Sequence, residues 1–130
     1  MPYNDTKGIA LLSTTAIADL GTASETTLYT VPTGYKCILT EAWLETAGDV
    51  AAALDVTIGQ NGAETDFVGT TAGDNLDADE DVIILKPVPS ATPATNKIYA
   101  AGTVIKFDVA TQSANTVAGV VYLFGFLIAV

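Results

Sequence analysis

The chain has 130 residues, 49% of them hydrophobic and 15% charged, a balance that supports a folded core and excludes ordinary disorder. Its 15 acidic residues outnumber five lysines, for a formal net charge of −10, and it contains neither histidine nor arginine. Nucleic-acid binding requires clustered basic side chains and anionic membranes repel acidic proteins, so we expect neither as a partner.

The missing side chains also exclude most catalytic chemistry. Serine and cysteine hydrolases rely on a histidine base in their usual form, and zinc sites rest on histidine and cysteine ligands. No glycine-rich phosphate loop with a following lysine is present. We therefore predict no enzymatic activity, no cofactor and no bound metal. The single cysteine, Cys37, lies in an apolar run and is expected to be a small buried hydrophobic residue rather than a reactive thiol.

Short apolar runs between turn signals predict one all-β domain over residues 9–130, preceded by a polar N-terminal arm over residues 1–8. In chain order, the runs that predict strands are residues 9–18, 26–31, 36–46, 52–59, a short one around 65–68, 82–85, 98–100, 103–109 and 117–129. About eight strands of this kind favour an antiparallel two-sheet β-sandwich, with a jelly roll as the expected topology.

Local signals separate these strands. Pro32 and Gly34 predict a turn, and residues 69–81 and 87–96 read as a polar loop and a proline-containing exposed loop. Within residues 52–59, apolar side chains alternate with polar ones such as Thr57, which predicts a strand buried on one face only. A helix over residues 47–54 is the alternative there, although Gly48 disfavours it.

The C-terminal strand is apolar on both faces. One face carries Val121, Leu123 and Leu127, and the other carries Val120, Tyr122, Phe124, Phe126 and Ile128. A strand of a sandwich with one solvent-exposed face would carry polar residues on that face and would not show this pattern. The second face is therefore expected to meet another chain or a neighbouring element.

Two further groups of residues suggest binding chemistry. Glu41, Trp43 and Glu45 share one strand face, which fits a carbohydrate site with a stacking indole, a carboxylate-pair glycosidase or an ordinary strand face. The acidic residues 74–81 fit a solvated loop, a weak calcium site or a docking patch for a basic partner. The spacing does not match an EF-hand, because its glycine and distal glutamate are missing.

A resemblance to a known family rests on three segments. Residues 26–36, Thr-Thr-Leu-Tyr-Thr-Val-Pro-Thr-Gly-Tyr-Lys, resemble a "TLYTVPAG"-like strand and turn near the start of small bacteriophage virion proteins. Residues 124–128, Phe-Gly-Phe-Leu-Ile, are similar to the "GYLI"-like tail of such proteins, and residues 101–105 with the proline-containing loop before them also fit the type. The chain thus resembles phage capsid decoration (cement) proteins and related head accessory proteins.

The resemblance implies a compact β-sandwich, frequently trimeric, on the outer surface of the virion. Its implied partner is the major capsid protein, whose subunit contacts it would stabilise, and it implies no catalytic residues. The alternative is a carbohydrate-binding or receptor-binding module of a phage tail or fibre, with Trp43, Tyr35 or Tyr99 as a stacking platform. The candidate partner contacts are Tyr3, Asn4, Tyr35, Trp43, Pro87, Pro89, Pro93, Tyr122, Phe124 and Phe126.

Overall fold

A computed structural model describes residues 8–87 and 98–130, and over these residues the chain forms nine β-strands and no helix. The strands are β1 (Ala10–Ile17), β2 (Glu25–Thr30), β3 (Tyr35–Ala47), β4 (Asp55–Gln60), β5 (Ala63–Ala72), β6 (Asp79–Leu85), β7 (Ile98–Tyr99), β8 (Val104–Thr111) and β9 (Gly119–Ala129). The all-β prediction is confirmed, and the helical alternative over residues 47–54 is wrong. In the same described ranges, no helix is long and apolar enough to cross a membrane.

The strands form two antiparallel sheets. One has the order β1-β9-β3-β6, with β7 also paired to β3, and the other has the order β2-β8-β4-β5. Eight strands form nested pairs, β1 with β9, β2 with β8, β3 with β6 and β4 with β5. The predicted antiparallel two-sheet sandwich is confirmed.

The hydrophobic core lies between the two sheets. Alternate side chains of β8 and β9, among them Phe107 and Leu123, point inward and are fully buried. Burial of each such side chain stabilises the fold by about 1.5–3 kcal/mol. Cys37 belongs to the same core and is fully buried, as its apolar neighbours predicted.

The central strand β9 pairs with β1 on one side and β3 on the other. Both neighbours shift register beside Phe124 and Gly125, where the extra residues are Leu12 in β1 and Thr40 in β3. A Cβ atom on Gly125 would overlap the carbonyl oxygen of Ile38. Glycine at this position therefore allows the two bulged strands to close against β9.

The turn before β3 follows the sequence prediction. Gly34 adopts a φ of 83°, which glycine tolerates without strain, and the backbone N–H of Tyr35 donates to the Pro32 carbonyl at 3.2 Å. This turn reverses the chain between β2, in one sheet, and β3, in the other.

The prediction for β4 is wrong in two respects. The strand begins at Asp55 rather than residue 52, because Ala51 and Ala53 adopt φ values of 67° and 63° that are incompatible with an extended strand. The strand is also buried on both faces, since Thr57 is only 2% exposed. The physical reason is that β4 lies between β8 and β5, and residues 63–66 of β5 approach the backbone at Gly59, on the same side as Thr57.

The polar loop predicted for residues 69–81 is shorter in the structure, where it covers residues 73–78 between β5 and β6. The polar Thr71 and its neighbour Ala72 extend β5 because their backbones pair with β4, and backbone pairing does not depend on side-chain polarity. The predicted arm and the proline-containing loop fall outside the described residues, except for Gly8 and Pro87.

A partly buried hydrogen bond connects the two sheets at one end. The Tyr99 hydroxyl in β7 donates to the Asp66 carboxylate in β5 at 2.8 Å. The same carboxylate accepts hydrogen bonds from the backbone and side chain of Gln60, at 3.1 and 2.8 Å. Tyr99 is therefore a structural residue that ties β7 to the opposite sheet.

We predict that Gly125→Ala lowers the free energy of unfolding by about 1–3 kcal/mol, because the new methyl group meets a backbone carbonyl that cannot rotate away. Urea denaturation measures the change. Gly8→Ala is the matched control, since no atom lies within 4 Å of a Cβ there, and it should stay within about 0.5 kcal/mol of wild type. Equal stability of the two variants would contradict the close packing of β9 described above.

We predict that alkaline pH destabilises the protein through Tyr99 and Cys37. Burial raises the pKa of Cys37 from 9.0 to about 11, and burial and the hydrogen bond to Asp66 raise the pKa of Tyr99 above its ordinary value of 10.0. Both groups stay neutral in the folded chain but ionise in the unfolded chain, so their contribution is complete below about pH 9 and is lost as pH rises further. Tyr99→Phe should show a smaller loss of unfolding free energy than wild type between pH 9 and pH 11 in urea titrations. Identical pH dependence of the two proteins would contradict the role given to Tyr99.

Candidate functional site

Three aromatic residues lie side by side on the outer surface of the β1-β9-β3-β6 sheet. Trp43 in β3 is paired in register with Tyr122 in β9, and the ring centroids of Trp43 and Phe124 are 4.9 Å apart with planes tilted by 52°. Trp43 is nevertheless 38% exposed. Because this sheet has the core on its other side, the aromatic rings are displayed outward. We refer to the surface formed by Trp43, Tyr122, Phe124 and their neighbours on this side of the sheet as the aromatic face.

Aliphatic side chains extend the aromatic face across its sheet. Leu11 of β1 pairs with Phe124 and is 53% exposed, and Ile84 of β6 pairs with Trp43 and is 54% exposed. Phe126 continues the apolar surface along β9. Contiguous exposed apolar surface of this kind marks a site of interaction with a partner.

Two carboxylates stand within this apolar surface. Glu41 accepts a hydrogen bond from Trp43 Nε1 at 3.0 Å, and Glu45 accepts one from the Tyr122 hydroxyl at 3.4 Å. Burial and the adjacent Glu45 carboxylate raise the pKa of Tyr122. The aromatic side chains thus hold both carboxylates in fixed positions.

The charge of these carboxylates is not neutralised within the described part of the chain. Glu25, on the other sheet, contacts Lys106 at 3.2 Å, but neither Glu41 nor Glu45 has a described lysine within ion-pair distance. Residues 79–81 at the start of β6 add further negative charge at the edge of the sheet. The aromatic face is therefore apolar with a negative centre.

The structure brings together four of the candidate contacts predicted from the sequence, Trp43, Tyr122, Phe124 and Phe126, on one side of one sheet. Tyr35 is not part of this group. It stands at the start of β3, in alternation with the buried Cys37, and packs against the core. Pro87 follows the end of β6, and the remaining predicted contacts, Tyr3, Asn4, Pro89 and Pro93, lie outside the described residues.

The structure excludes Tyr99 as a stacking platform. Its side chain is only 3% exposed, so a sugar ring or a protein partner has no access to the aromatic surface. The run Ile98–Tyr99 is too short to show an alternation of buried and exposed positions. In the structure, pairing with β3 places the tyrosine side chain on the inner side of the sheet.

The aliphatic border of the aromatic face, formed by Leu11, Val82 and Ile84, was not predicted from the sequence. A usable signal existed for β6, where Val82 to Leu85 is an unbroken apolar run at the end of a strand. A strand that is apolar on both sides exposes one of those sides on the outer surface of the sheet. The same rule that was applied to the C-terminal strand therefore indicates Val82 and Ile84 as exposed residues. Leu11 was harder to identify because the bulge at Leu12 breaks the alternation of β1.

An open groove of about 620 Å³ lies at the end of the sandwich where β3 begins. The residues that form it are Gly34, Tyr35, Lys36, Ile98, Ala100, Ala101 and Val130. Lys36 is the one lysine among these described residues.

The acidic loop predicted as a possible ion site has its own internal bonding. The Asp81 carboxylate accepts hydrogen bonds from the backbone N–H groups of Asp77 and Ala78, each at 3.0 Å. Across residues 8–87 and 98–130, no group of three or more acidic or cysteine side chains has the geometry to hold a metal ion. The Asp81 carboxylate is thus occupied by two backbone N–H groups of the loop that precedes it.

The fold is shared with chains from two phage capsid structures. One is in the capsid asymmetric unit of cyanophage Pam1, with a TM-score of 0.63 and 14% identity over 98% of this chain and 89% of that one. Another is in the acid-stable capsid of Helicobacter pylori bacteriophage KHP30, with a TM-score of 0.59 and 17% identity over 98% of this chain and 97% of that one. No protein-family model and no curated protein matches the sequence. The resemblance to phage head proteins is thereby confirmed at the level of the fold.

Proposed function

We propose that this chain is a structural protein of a phage virion, a decoration (cement) protein that binds the outer surface of the head. It would bridge neighbouring major capsid subunits and stabilise the contacts between them. The observation that carries the proposal is the exposed aromatic face, on a sandwich whose fold is shared with chains of two phage capsids. A sandwich of this size that displays aromatic residues has the surface required of a protein-binding module.

The chemistry of the chain supports a binding role rather than a catalytic one. The sequence contains no histidine, and Glu41 and Glu45, the pair considered for glycoside hydrolysis, are each bonded to an aromatic donor on an open sheet surface. Such a surface does not enclose a substrate or exclude water from it. The net charge of −10 also favours a protein partner over nucleic acid or an anionic membrane.

A bridging protein can hold a shell together through contacts that are individually weak. If several copies attach as one oligomer, each further contact forms at a high effective concentration, and the total affinity rises steeply. We propose a trimer on this basis and on the resemblance described above. The candidate contacts on the aromatic face would form one binding surface, and Pro87 with the preceding end of β6 lies at its border.

The carbohydrate-binding alternative has one observation in its favour. Trp43 is partly exposed and lies beside a fixed carboxylate, which is an arrangement that can stack a sugar ring and bind its hydroxyl groups. We prefer the capsid partner because the exposed apolar surface continues from β1 to β6, across four strands, and is wider than a single sugar ring.

The capsid proposal predicts that purified protein binds phage heads assembled without it. Bound protein should appear at saturable stoichiometry in sedimentation assays, and it should raise the temperature at which those heads break open, because it adds contacts across subunit boundaries. Heads that already carry the protein are the control and should bind no more. Failure of the folded protein to bind the depleted heads would overturn the proposal.

The trimer proposal predicts that the free protein has three times the mass of a single chain. Native mass spectrometry, or light scattering coupled to size-exclusion chromatography, gives the mass directly. Measurement over a hundredfold concentration range separates a stable trimer from a weak one, because only the weak trimer dissociates on dilution. A monomer at every concentration would contradict the trimer while leaving the capsid-binding proposal open to its own test.

A further inference from the structure

The negative centre of the aromatic face restricts which partner can cover it. Glu41 and Glu45 each receive one hydrogen bond from an aromatic neighbour, and the rest of each carboxylate is available to solvent or to a partner. A partner that covers Trp43 also removes water from these two groups. A carboxylate buried without a counter-charge is strongly unfavourable, so a purely apolar partner surface would bind poorly.

We propose that the aromatic face docks on a capsid subunit through a basic side chain, arginine or lysine, that enters among apolar residues of the interface and pairs with Glu41 and Glu45. This inference rests on the proposed function and adds the chemistry of the partner surface. Arginine fits the site best, because its planar guanidinium can lie against the indole of Trp43 while its N–H groups donate to a carboxylate. Trp43 and the two glutamates then form one recognition unit within the apolar surface.

Two-fold pairing of the aromatic face with the same face of a second copy, centred on Trp43, is unfavourable. Glu41 and Glu45 stand on either side of Trp43 along β3. A two-fold axis through Trp43 across the strands would set Glu41 of one copy against Glu45 of the other, and an axis along the strand would set each glutamate against its own counterpart. Both arrangements bury like charges together.

Other parts of a second copy offer little positive charge to this surface. The described lysines are Lys36 at the start of β3, Lys86 just after β6, and Lys106, which is already paired with Glu25. Acidic residues outnumber them on both sheets and in the loops. Charge complementarity therefore selects a foreign basic surface over the acidic surface of another copy.

The experiment compares four proteins in binding to phage heads assembled without this chain. They are wild type, Trp43→Ala, the double variant Glu41→Gln with Glu45→Gln, and the double variant Asp74→Asn with Asp77→Asn. The last is the matched control, because it removes the same charge from the exposed loop between β5 and β6, away from the aromatic face. Thermal unfolding by circular dichroism establishes that every variant is folded, and the glutamine pair keeps the size of the original side chains and one oxygen acceptor in each.

We expect Trp43→Ala to weaken binding by about 30-fold or more, as truncation of a central interface tryptophan does. The glutamine pair should weaken binding by about tenfold or more, since it leaves the partner's basic group without a counter-charge. The loop control should remain within about threefold of wild type, because an exposed charge away from the contact acts weakly and through screened attraction.

Each outcome separates the two proposals. If folded wild type does not bind the depleted heads, the proposed function fails. If wild type binds but the glutamine pair binds equally well, the proposed function stands and the basic-partner inference fails. If the loop variant loses binding while the glutamine pair does not, the acidic loop is the docking site and the aromatic face is not. If Trp43→Ala abolishes binding to an array of glycans while head binding is unchanged, the aromatic face is a carbohydrate site and the inference is wrong.

Discussion

The pairing of β9 with both β1 and β3 is the constraint on which the rest of the structure depends. In this central position the strand must supply apolar residues to the core on one side, and Val121 and Leu123 do so. Its other side carries Tyr122 and Phe124, which the same pairing holds at the middle of the outer surface of the sheet. The strand that completes the sandwich therefore also creates its candidate interaction surface.

Gly125 of β9 affects both the packing of the sheet and the exposure of the aromatic residues on its outer surface. Gly125 lets the bulged strands on either side approach β9, and the bulges lie directly beside Phe124. In β3, the register shift at Thr40 comes just before Glu41 and sets which side of the sheet Glu41, Trp43 and Glu45 occupy. Without that shift, a strict alternation starting from the buried Cys37 would turn the indole toward the core. A local irregularity in the backbone thus decides the composition of the outer surface.

The aromatic face differs in character from the rest of the molecule. The chain as a whole is strongly acidic, and its net charge of −10 favours solubility. The aromatic face instead presents rings and aliphatic side chains, with two carboxylates held by Trp43 and Tyr122. In the proposed role, the apolar surface would provide the binding energy, and charged residues elsewhere would keep the protein soluble until it attaches to a shell.

Much of the fold could be predicted from local pattern. The turn at Pro32 and Gly34 is encoded in a short segment and was confirmed. The second apolar side of the C-terminal strand is half-buried on the outer surface of its sheet. The prediction failed where pairing with strands that are distant in the sequence decides whether a residue is buried or belongs to a strand. Thr57 reads as an exposed position by alternation, yet β5 and β8 bury it, and Thr71 reads as a loop residue although its backbone pairs with β4.

By itself, then, the sequence determined the all-β class, the buried state of Cys37 and the unsuitability of the chain for histidine-dependent chemistry. These follow from which residues the chain contains and from how its apolar residues are spaced. It also indicated that Tyr122, Phe124 and Phe126 share a surface. Only the tertiary structure decided that Trp43 joins them, that Leu11 and Ile84 border them, and that Tyr35 and Tyr99 do not belong to the group. The physical reason is that strand register and bulges, which set what lies beside what, are fixed by pairing between segments far apart in the chain.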